Sequence, residues 1–344
     1  MLRIYGLSII VTVICMVLAF QWGGWVGLYI AVVLSILEIS LSFDNAVVNA
    51  TVLRDMSRLW QQLFLTVGIL IAVFGMRLAF PLIIVAVVGE ISIAETADLA
   101  LNQPDRYSEL LTSSHIQIAA FGGIFLLLVF LNYFIDDEKD THWFHTLESR
   151  LGGLGRVESI AIIISLLAVV ALQSAVPEAD RLSAILAGLT GILLYAIVNS
   201  LDTLLSNNGI ETPEGVSASE IGKRSGVMGF LYLELLDASF SFDGVIGAFA
   251  ITKDVVIIML GLAVGAMFVR SMTVHLVRRG TLEEYIYLEH GAHYAIGALA
   301  AIMLGSAVFH IPEWITGLIG IAFIALALLS SVLHKKRVAQ GNAA

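Results

Sequence analysis

Apolar residues run through the chain in long blocks that short polar stretches separate. A helix that crosses a bilayer needs about 20 mostly apolar residues, and blocks of that length predict about ten spans, with eight as the lower bound. The second, third and seventh blocks exceed one crossing, so we expect kinks or breaks in them. The pattern predicts an all-α fold, a polytopic transmembrane helical bundle. The predicted spans cover residues 4–21, 25–53, 59–88, 115–135, 157–176, 181–204, 225–252, 255–278, 291–310 and 313–333.

The composition supports a chain that lies within a lipid bilayer. Hydrophobic residues make up 58% of the 344 positions and charged residues 13%, whereas soluble domains carry about 25% charged residues. The net charge of −10 comes with no basic surface, so nucleic acid is not an expected partner. Cys15 is the single cysteine, which excludes a thiolate metal cluster. A bound metal would rely on oxygen ligands, with or without histidine, and these favour hard ions.

The basic residues predict the orientation of the spans. With ten spans, thirteen Lys and Arg residues fall on one side of the membrane and only Arg106, Arg181 and Lys253 on the other. Because cytoplasmic loops carry the excess of positive charge, both termini are expected in the cytoplasm. The apolar N-terminus has no small-x-small cleavage pattern, so it is expected to remain as the first span. We expect a multi-pass protein of the cell (plasma or inner) membrane.

A short motif occurs twice at matching depth. Residues 37–48 read LEISLSFDNAVV and residues 236–247 read LDASFSFDGVIG, aligned without a gap at an offset of 199. The copies fall in the second and seventh spans, five crossings apart, so their helices are expected to run in opposite directions. Inverted repeats are typical of transporters. We therefore predict one integral membrane domain made of two half-repeats, residues 1–176 and 177–344.

Acidic residues inside the spans predict a cation site. Each ionised acid at the centre of a membrane helix costs about 2.5–3.5 kcal/mol, and Arg77 and Arg270 cannot neutralise five of them. Surplus carboxylates suit a hard divalent cation, while the two arginines are expected to be charge gates, since a guanidinium repels a cation. The acids are Glu38, Asp44, Glu234, Asp237 and Asp243. Supporting oxygens are expected from Ser40, Ser42, Asn45, Ser239 and Ser241, with Glu234 also counted as supporting.

The spacing of the acids constrains how they can bind an ion. Residues six apart on a straight helix point about 120° away from each other, so Glu38 and Asp44 cannot face one ion from an unbroken helix. Either one acid of each pair serves elsewhere, as in a relay, or the helix breaks near the Ser-Phe-Asp sequence. Gly244 and Gly247 favour a break in the second copy, and Asn45 makes one less favourable in the first.

The doubled acid–Ser–x–Ser–Phe–Asp motif resembles the TerC family, in particular its long relatives that carry an uncharacterised integral membrane domain. The resemblance covers the second to the ninth span. It implies membership of the cation and amino-acid exporter superfamily and a role in divalent metal efflux, manganese above all, with some relatives tied to tellurium resistance. The second copy departs from the first at Gly244 and Asp237. The metal ligands implied by the resemblance are Glu38, Asp44, Asn45, Asp237 and Asp243.

Three functions are compatible with these residues. The first is a metal ion transporter with no catalytic residue and no cofactor besides the transported cation, and we expect the chain not to be an enzyme. The second is a non-transporting membrane partner in a tellurium or metal stress-resistance system, which would tolerate loss of the acids. The third is an intramembrane aspartyl protease, in which two aspartates share a proton; the chain lacks the Gly-x-Gly-Asp signature of that class.

Overall fold

The structure is a computed structural model that describes residues 2–135, 141–144, 148, 159–206, 226–309 and 311–341. All regular secondary structure in these residues is helical, which agrees with the predicted all-α membrane bundle. Six helices are long and apolar enough to cross a membrane, so the predicted count of ten spans is not confirmed. These six cover Ile4–Leu41, Arg58–Val88, His115–Phe134, Glu178–Ser200, Val255–Arg279 and Ile315–Arg337.

Thirteen α-helices of eight or more residues organise the described part of the chain. A π-helical segment, Ile71–Ala79, joins the third helix to the fourth. In chain order the helices are α1 (Leu2–Leu41), α2 (Phe43–Asp55), α3 (Arg58–Leu70), α4 (Phe80–Val88), α5 (Ile93–Asn102), α6 (Pro104–Ser113), α7 (His115–Phe134), α8 (Ile160–Ala175), α9 (Arg181–Ser206), α10 (Gly226–Ile251), α11 (Val255–Arg279), α12 (Leu288–Ser306) and α13 (Glu313–Gly341).

The long helix α1 is a hairpin. Gly24 has φ 60° and ψ −149°, a backbone conformation that is essentially restricted to glycine, and the chain reverses there. Before the break, the Ser8 hydroxyl donates to Met267 O at 2.8 Å; after it, the Ser35 hydroxyl donates to Gly261 O at 3.1 Å. Both arms of α1 therefore pack along α11, one antiparallel and one parallel to it.

The continuous helix that follows α2 contains the π-helical segment. Residues Arg58–Val88 form a continuous 31-residue helix in which α3, the π segment and α4 succeed one another. In a π segment the hydrogen bonds reach one residue further than in an α-helix, and such segments are frequent at functional sites. Arg77 lies in this segment and is buried.

The core of the bundle lies around α7 and α12, which pack antiparallel. The ring of Tyr133 stacks on His293 with centroids 3.6 Å apart. At the other end of the pair, a Cβ on Gly123 would lie 2.9 Å from Leu304 Cγ, so the glycine allows the two backbones to approach closely. The helices α9 and α8 pack on other faces of α7, while α2 and α13 pack on α12.

Candidate cation site

The two copies of the motif lie against each other in antiparallel register. The Asn45 side-chain amide donates to Asp237 Oδ1 at 2.9 Å. Glu38 precedes Asn45 by seven residues, and Gly244 follows Asp237 by seven. Glu38 and Gly244 also meet: a Cβ on Gly244 would lie 2.6 Å from Glu38 Oε2. Gly244 aligns with Asn45 and Asp237 aligns with Glu38 in the repeat. The first-acid position of each copy therefore meets the Asn45/Gly244 position of the other copy. A local two-fold relation between the copies requires this arrangement.

Each copy also holds its first acid against an arginine. Arg77 Nη2 forms an ion pair with Glu38 Oε1, and both side chains are buried. Arg270 Nη2 lies 3.6 Å from Asp237 Oδ2, again with both side chains buried. Arg77 Nη1 also donates to Ala72 O at 2.8 Å within its own helix. The guanidiniums thus act as buried counter-charges, and neither acid is left with an uncompensated charge of the kind that is most costly in an apolar interior.

Glu234 makes the two halves electrostatically unequal. Its Oε1 lies 3.4 Å from Arg270 Nη2, so one guanidinium faces two carboxylates. The second oxygen, Oε2, is buried and has no hydrogen-bond partner. The position that aligns with Glu234 in the first copy is Ser35, which carries no charge. The half of the site around Arg270 therefore carries the larger excess of acid.

The second acid of the first copy points to a different neighbour. Asp44 is buried, and Oδ1 accepts the backbone N–H of Asn45 at 2.9 Å. On its other side lies α13, where a Cβ on Gly320 would be 2.8 Å from Asp44 Oδ2. The structure therefore pairs Asn45 with Asp237, holds Glu38 against Gly244 seven residues away, and places Asp44 against α13. Asp243 lies within α10, but its side chain lies outside the described residues.

The helix break falls in the first copy of the motif. Ser42 interrupts the helix between α1 and α2 with φ −104° and ψ 19°, whereas α10 is continuous through Gly244. The expectation that glycines would favour a break in the second copy is wrong. Gly244 serves close packing, since its missing side chain makes room for Glu38, and it does not serve unwinding.

The predicted serines occupy different environments. Ser42 donates to Glu38 Oε1 at 3.3 Å and belongs to the site. Ser241 is buried, and its hydroxyl has no partner. Ser239 donates to Leu235 O of its own helix at 3.0 Å. Ser40 lies on an exposed face and bonds its own helix, because two residues on from Glu38 an α-helix has turned by about 200°.

The acids whose side chains the structure describes do not form a preformed metal cluster. In the parts of the chain that the structure describes, no three His, Cys, Asp or Glu residues are grouped so that they could hold a metal ion. Glu38 and Asp237 each face an arginine, and Asn45 joins one half to the other. A cation that entered here would meet single carboxylates and amide or hydroxyl oxygens, and it would compete with the guanidiniums for them.

Two residues near the site were not predicted from the sequence. Asn49 is fully buried, and neither atom of its side-chain amide has a partner. Ser35 is buried, and its hydroxyl donates to Ala31 O and Gly261 O. Both continue a three-and-four residue spacing through Glu38, Ser42 and Asn45. That spacing could have identified both residues from the sequence. Neither residue carries a charge, which is the feature by which the acids were recognised.

Comparison with known proteins places the chain among membrane proteins. A family described as "Protein of unknown function (DUF475)" matches residues 43–338. The chain is 33% identical over 108 residues to "Uncharacterized membrane protein YceF" of Bacillus subtilis (strain 168), a match of 30% of this chain and 40% of that protein. No solved structure matches. These relatives support a membrane protein family and do not confirm the TerC resemblance.

Proposed function

The chain belongs to the DUF475 family, and we propose that it transports a divalent metal cation across the membrane. One observation carries this proposal. The same pairing of acid, arginine and small or amide residue is present in both motif copies, and the copies meet in antiparallel register inside an apolar bundle. Buried acids that are duplicated in this way are hard to explain by packing alone, because ionisable groups within membrane spans are expensive and mark ion pathways.

In the proposed mechanism, the carboxylates exchange their guanidinium partners for the cation. Glu38 releases Arg77 and Asp237 releases Arg270 when a cation takes carboxylate and amide oxygens between them, with Asn45 as a neutral ligand. Asp44 and Asp243 are also ligands in this proposal, as the resemblance implies. Because Asp44 lies against Gly320 of α13 in the structure, it has to turn toward the cation when the ion binds. The antiparallel relation lets the two halves exchange roles when the site opens to opposite sides of the membrane. No covalent chemistry is involved, so the proposed function is not enzymatic.

The finer assignments also belong to the proposal. Manganese as the ion and efflux as the direction follow the resemblance to the TerC family. The hydropathy and charge pattern supports ten spans in two halves, residues 1–176 and 177–344. It also supports a protein of the plasma membrane whose two termini lie in the cytoplasm. The break of α1 at Gly24, which separates two antiparallel arms, supports a higher count of spans than six.

Cellular manganese tests the proposal. Cells that make the wild-type protein are expected to contain less manganese and to tolerate more of it than cells that make Asp44→Asn or Asp243→Asn at equal membrane abundance. Asp98→Asn is the matched control, because Asp98 is an exposed acid on α5 outside the site. If the wild type does not lower manganese, or if the site variants lower it as well as the control does, the transporter proposal fails and a non-transporting stress-resistance partner is favoured.

A further inference from the structure

A stripe of polar residues follows one side of the second arm of α1 and continues along α2. Its members recur at spacings of three and four residues, which keeps them on one face of a helix. The backbone hydrogen bonds from Ser42 N to Glu38 O and from Ala46 N to Ser42 O carry this periodicity across the interruption at Ser42. The last member, Asn49, is fully buried with both amide atoms unpartnered. Since buried polar groups in proteins nearly always have a partner, this amide needs a ligand or water. The stripe consists of Ser35, Glu38, Ser42, Asn45 and Asn49.

In the antiparallel register, Asn49 and Glu234 lie at the same level along the two helices. Asn45 bonds Asp237 directly, and Asn49 lies one turn further along α2 while Glu234 lies one turn back along α10. Glu234 Oε2 is buried and unpartnered, as is the amide oxygen of Asn45. Three buried oxygens without a partner, on Asn45, Asn49 and Glu234, therefore occupy consecutive turns of two facing helices.

The corresponding positions at the other end of the stripe do not extend the site. The residues that align with Asn49 and Glu234 are Ala248 and Ser35. Ala248 has no polar side chain, and the Ser35 hydroxyl already donates to backbone carbonyls. The polar extension is thus confined to the end of α2 that leads to Arg54. This is the end that the distribution of basic residues predicts to be cytoplasmic.

We propose that Asn49 and Glu234 form a second binding position for a hard divalent cation, between the Asn45–Asp237 pair and the cytoplasmic end. This inference rests on the proposed transport function. Amide and carboxylate oxygens are suitable ligands for such an ion. This position offers a single carboxylate, that of Glu234, which also faces Arg270, whereas the motif offers several acids. We therefore expect it to bind the ion more weakly than the motif acids and to load the site from one side.

Binding of Mn²⁺ to the purified full-length protein in detergent tests the second position. Electron paramagnetic resonance of free Mn²⁺ is expected to reveal a tighter and a weaker class of site in the wild type. Asn49→Leu should weaken the weaker class by about tenfold or more and leave the tighter class, which Asp44→Asn removes, unchanged. Asn132→Leu is the matched control, because the Asn132 amide donates to Leu128 O on α7 at 2.9 Å, outside the site. The control should keep both classes.

Thermal unfolding distinguishes this role from a structural one. Asn49→Leu removes a buried unsatisfied amide, so its melting temperature should equal or exceed that of the wild type. If the variant melts normally and still binds both classes with unchanged affinity, the second position does not exist. Should the variant fail to fold, Asn49→Asp provides the test, since an added carboxylate should tighten the weaker class and an unchanged class would overturn the proposal. Normal export by the Asp44→Asn and Asp243→Asn variants would instead refute the transport function itself.

Discussion

The ion pair between Glu38 and Arg77 can be tested by removing one partner at a time. Arg77→Met keeps an unbranched apolar stem and removes the charge, while Glu38→Gln keeps the shape of the carboxyl group and makes it neutral. In the first variant the Glu38 carboxylate would keep only the Ser42 hydroxyl at 3.3 Å. In the second, the guanidinium would lose its counter-charge and keep Ala72 O.

The burial of the pair sets the size of the effect. The side chains of Arg77 and Glu38 are 3% and 2% exposed, so water does not screen the charge that remains. Breaking a buried pair by removing one partner costs about 3–5 kcal/mol, which is more than about a 100-fold change in the unfolding equilibrium. The double variant carries no unpaired charge. Its loss of unfolding free energy should therefore be smaller than the sum of the losses in the two single variants. We expect a coupling energy of about 2–3 kcal/mol.

The coupling can be measured by unfolding the four proteins in mixed micelles of increasing dodecyl sulfate content. The matched control is the pair of Lys335 and Glu284, at 3.2 Å with side chains 66% and 50% exposed. Exposed pairs contribute about 0–1 kcal/mol, so the control cycle should show little coupling. A coupling energy at the Glu38–Arg77 pair no larger than that of the control would refute the assignment of Arg77 as the counter-charge of Glu38.

Two further predictions concern glycines whose missing side chains the structure requires. Gly265→Ala would place a Cβ against Cβ and Cγ of Glu38, so it should destabilise the protein by about 1–3 kcal/mol and reduce manganese export, whereas Gly6→Ala, with no atom within 4 Å, should do neither. Gly24→Ala would force a non-glycine residue into φ 60°, ψ −149° at a cost of about 1–3 kcal/mol, measurable as a lower melting temperature; an unchanged melting temperature would contradict the hairpin in α1.

The sequence predicted the helical membrane fold and the antiparallel relation of the two motif copies. The predicted number of spans, in contrast, is not confirmed. Long apolar blocks are sufficient to identify helices in lipid, because every backbone group must be satisfied within the segment. The number of spans does not follow from hydropathy alone, because functional helices are not uniformly apolar. The helix α10 has 26 residues but carries Glu234, Asp237 and Asp243, and it is not among the six helices that qualify by length and hydropathy.

Local preferences failed where tertiary contacts decide the conformation. A glycine can unwind a helix, but Gly244 accommodates Glu38 from the facing helix, which no local pattern reveals. The break occurs instead at Ser42, whose hydroxyl bonds the neighbouring carboxylate. Asn49 was missed for a related reason. A neutral amide in an apolar helix attracts notice only when its burial and its lack of a partner are known.

Manganese flux through the purified protein, reconstituted in lipid vesicles, tests the transport function most directly. With Mn²⁺ on one side, vesicles that contain the wild type should pass the ion faster than empty vesicles do, and vesicles with Asp44→Asn or Asp243→Asn should match the empty ones. Asp98→Asn should behave as the wild type. Wild-type vesicles no faster than empty ones, or site variants as fast as the wild type, would contradict a role for the doubled motif in moving a divalent cation.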